Sequence, residues 1–313
     1  MQQKKELVKQ VIKLTEATKN ALSNFIVDEL RLLTKNVANN YNDNIQLRKR
    51  NPFLAFENTS TEKFMALGRS IDSQLGNRMQ NIIFYLARIR YGASRVPNII
   101  NILVNEENHK ITIKTFFSHG NLHRANYYAN TNPCQQNIYI NADIDEAKAK
   151  QIMKIKKTAP DILGSNTYVF ENVHQDKINY ILSLGFLKRP VDLLYFKTDE
   201  TSNVNVKTFE IKMSGLLDTK NAESNANEVH RLKEMFSYTD GNQSYFASCY
   251  GECSDAVKRE ILKILTNESI LNSTSFWAKI LPIGDEILSY EEFIEIYANA
   301  FVEAGLEERI IAL

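Results

Sequence analysis

Apolar residues recur at helical spacing over the first third of the chain. Leu7, Val11 and Leu14, then Leu22, Phe25, Ile26, Leu30 and Leu33, form one stripe and predict a helix from residue 4 to about 38. The polar section "NNYNDNIQLRKRNPF" is expected to break it. A second long helix is predicted from about Ser60 to Tyr91, with "STEKF" as its cap and Glu62 in its first turn. Its buried face would carry Phe64, Leu67, Ile71, Leu75, Met79, Ile82, Ile83 and Leu86. Gly68 and Gly76 lie inside it; each costs about 1 kcal/mol of helix propensity, so a close approach is expected at both.

The period then changes. "HKITIKTFFSH" alternates and predicts a strand, "QNIYINAD" is a second, and "NLHRANYYANTNPC" between them reads as a loop. "DEAKAKQIMKIKK" and "DKINYILSLGF" read as helices, the latter ending at a glycine cap. "RPVDLLYFKTD" and "VNVKTFEIKMS" predict two strands joined by the polar link "ETSN". A helix over "LLDTKNAESNANEVHRLKEMFSYT", a strand at "QSYFASCYG", a helix at "SDAVKREILKILTN" and an acidic amphipathic tail helix follow. Strands mixed with many helices imply an α/β (α+β) fold: residues 1–50 as a helical N-terminal arm and residues 51–313 as the main domain.

Composition narrows the class. A chain of 313 residues has room for a sizeable core. A net charge of +1 argues against a globally basic nucleic-acid binder, but the charge is polarised. Residues 1–50 hold ten Lys or Arg against five acids, and residues 281–313 hold one against eight. The cluster Arg48, Lys49, Arg50 is either a solvated loop or a phosphate-contacting arm. Three cysteines (Cys134, Cys249 and Cys253) form no framework and read as reduced thiols packed in or near a core. Neither the C-x3-C pair nor His119 with His123 supplies enough ligands for zinc. No secretory signal and no apolar run near the ~20 residues of a membrane span is present, so a cytoplasmic location with no membrane partner is expected.

The chemistry concentrates in "KTFEIKMSG". On a strand Glu210 and Lys212 share one face, while Phe209, Ile211 and Met213 share the other, toward a core. Taken alone, the pair reads as a solvated or same-face ion pair. In "RPVDLLYF", however, Asp192 is a second acid within an apolar run. If the two strands pair as a hairpin, Asp192 comes opposite Glu210, and two carboxylates at one place need a cation between them. Mg²⁺ suits such a pair, with the Ile211 carbonyl as a further oxygen and Lys212 beside the site to stabilise developing charge.

This pattern resembles the PD-(D/E)xK nuclease signature, in the form found in type II restriction endonucleases. Val191 stands directly before the aspartate, and Pro190 is one place earlier than in the usual pattern. The resemblance implies a restriction-endonuclease-like core, a mixed central sheet flanked by helices. It implies Asp192 and Glu210 as ligands of catalytic Mg²⁺, and Lys212 as the residue assisting attack on the phosphodiester. Upstream, "NPFLAF" and a helix carrying "LGNRMQ" resemble a block in several such enzymes, with Gln80 where an acid would complete the metal site. A literal Pro160-Asp161 is a weaker competitor for Asp192, because no E-x-K follows closely. After the catalytic strand, Lys220, Asn221, Asn225, Asn227, Arg231 and Lys233 are candidates for DNA contact, since Asn bridges adenine and Lys or Arg favours guanine edges. The asparagines read alternatively as a cap and a frayed first turn. The resemblance further implies double-stranded DNA as substrate, a GGNCC-type palindrome, a homodimer and a cognate DNA methyltransferase that protects host DNA. The alternatives are a nuclease of the same superfamily in repair or recombination, and a non-catalytic DNA-binding or structural protein.

Overall fold

A computed structural model describes residues 16–49, 59–118, 136–153, 163–198, 204–215, 217–282 and 288–311. Two long helices open it, α1 (Glu16–Lys49) and α2 (Thr59–Tyr91). The apolar stripe expected on α1 is buried, from Leu22 through Phe25, Ile26, Leu30 and Leu33 to Val37. Residues 4–15 of that predicted helix lie outside the described residues. The expected break does not occur: α1 continues through the asparagine-rich section to Lys49. Asparagine disfavours a helix only weakly, by a fraction of a kcal/mol per residue, so the run does not suffice to end one that is already formed. Arg48 and Lys49 therefore fall in a helical turn rather than a loop; Arg50 and the "NPF" start lie outside the described residues.

The α2 prediction holds to within one residue. The two glycines do not mark the close approaches expected of them. A Cβ at Gly68 would meet nothing within 4 Å, and one at Gly76 would sit 3.8 Å from Met213 Cγ, an ordinary contact.

The strands form two mixed sheets, where a single one was expected. The first contains β1 (Ile99–Asn105), β2 (Lys110–Ser118), β3 (Gln136–Ile140), β4 (Leu163–Phe170) and β5 (Lys188–Val191), in the order β4-β2-β1-β3-β5. The second contains β6 (Leu193–Thr198), β7 (Val204–Ser214), β8 (Gln243–Tyr250) and β9 (Ile270–Asn272) in sequence order. The helices α3 (Glu146–Ile152), α4 (Gln175–Ser183), α5 (Thr219–Met235), α6 (Asp255–Leu262), α7 (Thr274–Ile280), α8 (Tyr290–Glu303) and α9 (Leu306–Ile311) complete the described chain. The pattern did not predict β1, β4, β9 or α7. The run "IINILVN" has its first four residues buried on both faces, so it lacks the alternation that reveals a strand. No helix among the described residues is long and apolar enough to cross a membrane.

Phe209 and Ile211 of β7 join Leu193, Tyr195, Tyr245 and Ala247 in a core covered by α1, α2, α7 and α8. The opposite face of the second sheet is covered by α5. Leu232, Met235 and Phe236 pack with Val206 and Leu194, while Ala222, Ala226 and Val229 pack with Phe246. β7, α5 and β8 thus form a parallel crossover unit, with α5 starting just past the end of β7.

Candidate metal centre

The single strand expected over "RPVDLLYFKTD" breaks at Asp192. Before it, β5 pairs with β3 of the first sheet, Gln136 facing Val191. After it, β6 pairs antiparallel with β7, Leu193 facing Phe209. Gln136, fully buried, bridges the changeover. Its amide donates to Pro97 O (2.7 Å) and Leu194 O (2.8 Å), and its Oε1 accepts from the Leu194 N–H (2.6 Å). Its side chain thus acts as a piece of backbone where one sheet hands the chain to the other. Nothing in the local pattern of "QNIYI" signals that role.

Continuing the β6–β7 register by one step places Asp192 opposite Glu210, as the hairpin argument expected. Because β5 has turned away, the Ile211 N–H has no ladder partner there and donates to Asp192 Oδ2 at 2.7 Å. On a strand the carbonyl of a residue points to the same side as its own N–H, so the Ile211 carbonyl also faces the Asp192 side. Gln80, from α2, donates to Asp192 Oδ1 at 2.5 Å. The residue whose contribution the sequence left open thus holds the aspartate directly. On the α5 face, Lys212 Nζ donates to Glu210 Oε1 at 2.7 Å, with both side chains largely covered.

Burial, and then the negative charge of Glu210, push the Asp192 carboxyl up from 3.8 to about 7. The Ile211 N–H, Lys212 and Gln80 oppose that rise without cancelling it. Asp192 in turn acts on Cys249, whose thiol is pushed up to about 12, by burial first and Asp192 second. Cys249 lies in the core beneath the sheet and Cys253 is half-buried, as expected of packed thiols; Cys134 lies outside the described residues.

These residues suit a hard cation. The donors are the two carboxylates and the Ile211 carbonyl, all oxygen; the Asp192 carboxyl is raised by burial first, and then by a Glu210 charge that outweighs the opposing Lys212. Among the described residues no group of three or more His, Cys, Asp or Glu could hold a metal. An ion here would therefore keep several waters, as Mg²⁺ does with one or two carboxylates. Asp161, Glu200, His119 and His123 lie outside the described residues.

The candidate DNA contacts all lie on α5, a continuous helix rather than a frayed turn. Asp218 caps it by accepting from Lys220 N at 2.7 Å, and its small buried residues pin it to the sheet. Lys220, Asn221, Asn227 and Lys233 are exposed, and Asn225 and Arg231 are half-buried. Arg231 is committed to Glu228 at 3.4 Å, and Glu228 also holds Arg189 through two nitrogens. The outer groove of α5 carries Lys220, Asn227 and Arg231 beside Glu223, Glu228 and Glu234, so its charge is mixed.

No protein-family model matches the chain, and no curated protein and no solved structure matches it either.

Proposed function

We propose that this protein is a Mg²⁺-dependent endonuclease of the PD-(D/E)xK superfamily, a type II restriction enzyme acting on double-stranded DNA. The observation that carries this reading is Asp192 held opposite Glu210, with Ile211 and Lys212 on the same strand. The order of strand, strand, helix and strand around the pair, with the acid at the head of the first and E-x-K on the second, supports a restriction-endonuclease-like core. Asp192, Glu210 and the Ile211 carbonyl would hold the ion. Bound there, Mg²⁺ would polarise the scissile phosphate and offset the charge of the facing carboxylates.

The remaining work belongs to the chain. Gln80 and the Ile211 N–H fix the Asp192 carboxylate in one orientation. Lys212 leaves Glu210, orients the attacking water and stabilises the charge that develops on the phosphoryl oxygens. The water oxygen bonds to phosphorus as the bond to O3′ breaks; O3′ takes up a proton, leaving a 5′-phosphate and a 3′-hydroxyl. Lys220, Asn221, Asn225, Asn227, Arg231 and Lys233 would face bases or phosphates from α5. For Arg231 this requires exchange away from Glu228. A GGNCC-type palindrome, a homodimer with one site per strand and a protecting methyltransferase complete the reading.

The test is to incubate the protein with mixed duplex DNA and Mg²⁺ and to sequence the ends. Discrete fragments with 5′-phosphates are expected, and a smear would favour repair or recombination. Glu210→Ala and Lys212→Ala should each abolish cutting while DNA binding persists. If both variants cut normally, the proposed chemistry is wrong.

A further inference from the structure

Far from Lys212 along β7, four cations converge on the other face of the sheet. Lys207 precedes Lys212 by five residues, about 17 Å along the strand, and the odd spacing places it on the opposite face. It stands in register with Tyr195 of β6 and Gln243 of β8, and Lys197 follows two residues after Tyr195 on the same face. The helix α7 brings Lys279, its ammonium 4.9 Å from the centre of the Tyr245 ring. From α2 comes Arg90, anchored by Nη1 donating to Ala278 O (2.6 Å) and Leu281 O (2.9 Å) at the end of α7.

The ammonium of Lys207 is itself fixed, donating to Gly241 O at 2.6 Å and Gln243 Oε1 at 2.9 Å. Both acceptors are neutral. Among the described residues, none of the four cations has a carboxylate within ion-pair distance. Two covered arginines elsewhere do have carboxylate partners: Arg78 pairs with Glu29 and Arg189 with Glu228. The four are near enough to feel one another. Burial first, then Lys197 and Lys279, lower Lys207 to about 8, and burial, Arg90 and Lys197 lower Lys279. Positioned like charges without a counter-charge among the described residues are complementary to an external anion, and four of them suit several charges better than one.

We propose that Lys197, Lys207, Lys279 and Arg90 form a binding site for a multiply charged phosphate group, separate from the Asp192–Glu210 pair. Its source is either a free nucleotide or the backbone of a nucleic acid, and the two separate experimentally. The proposal does not depend on nuclease activity.

The full chain is titrated calorimetrically with pyrophosphate at low salt and without Mg²⁺. Saturable binding is expected, weakened about tenfold by Lys197→Gln and by Lys279→Gln. Lys263→Gln, at a lysine paired with Glu260 on another surface, should leave it unchanged. Lys197 is exposed, so Lys197→Gln should melt no lower than the parent without ligand, which keeps a binding loss interpretable. Failure of pyrophosphate to bind, or equal affinity in all variants, overturns the proposal. Competition then names the source. Displacement by ATP but not by a short duplex indicates a nucleotide site, and displacement by the duplex indicates a backbone contact.

Discussion

Asp192→Asn removes one charge while nearly keeping the shape of the side chain, and its effect on stability should change sign with pH. In the folded protein the Asp192 carboxyl is raised from 3.8 to about 7, by burial and then by Glu210. A carboxyl raised on folding holds its proton more tightly in the native state. Its favourable contribution is therefore full below about pH 4 and is lost as pH climbs toward 7. At about 1.4 kcal/mol per pH unit, that interval sets a ceiling of about 4 kcal/mol. Partial solvent access and coupling to Glu210 reduce the working figure to about 2 kcal/mol. Asparagine keeps an acceptor for Gln80 but loses the one for the Ile211 N–H, at about 1 kcal/mol at every pH. Relative to the parent, D192N should thus be about 1 kcal/mol less stable at pH 4 and about 1 kcal/mol more stable at pH 8. Urea unfolding with a chelator present, repeated across that range, measures it. Mg²⁺ at about ten times its Kd should then stabilise the parent by about 1.4 kcal/mol at pH 8 and leave D192N unmoved. A stability difference that stays flat from pH 4 to 8 would refute the electrostatic reasoning.

Other substitutions probe the surrounding frame. Gln80→Glu should tighten Mg²⁺ binding by adding an acid where the amide now holds Asp192, and lower the metal-free melting temperature through added repulsion; calorimetry reads the first and a thermal melt the second. Gln136→Ala strips the changeover between sheets of three hydrogen bonds and should destabilise the fold by about 3 kcal/mol in urea, in contrast to an exposed Gln151→Ala control. Gly215→Ala would put a Cβ 2.5 Å from the Glu252 carbonyl carbon; since backbone cannot easily yield, a loss of about 2 kcal/mol is expected, and unchanged stability would mean the turn relaxes at little cost.

Several of these features were legible before any coordinates. The α1 and α2 stripes follow from a period of 3.6, and the division of β7 into Phe209 and Ile211 on one face and Glu210 and Lys212 on the other follows from a period of 2. A one-residue shift would have reversed every side chain of β7, so the alternation fixed which of its residues share a face, although both faces turn out to be covered. The facing of Asp192 and Glu210 was an inference about register, and it depended on the strands pairing. By contrast β1, its first four residues buried on both faces, gave no alternation, and the end of α1 escaped because asparagine's preference against the helix is too weak to stop one.

The sequence by itself determined which side chains could meet: two acids and a lysine spaced for one face, and a core behind them. Tertiary structure decided what holds them. The chain leaves one sheet for another at Asp192, which frees the Ile211 N–H to take its carboxylate. Gln80 arrives from a helix 112 positions earlier in the chain, and Gln136 secures the crossing. Those partners are set by which elements pack together. No short window of sequence contains that information, because long-range contacts depend on the burial of the whole chain.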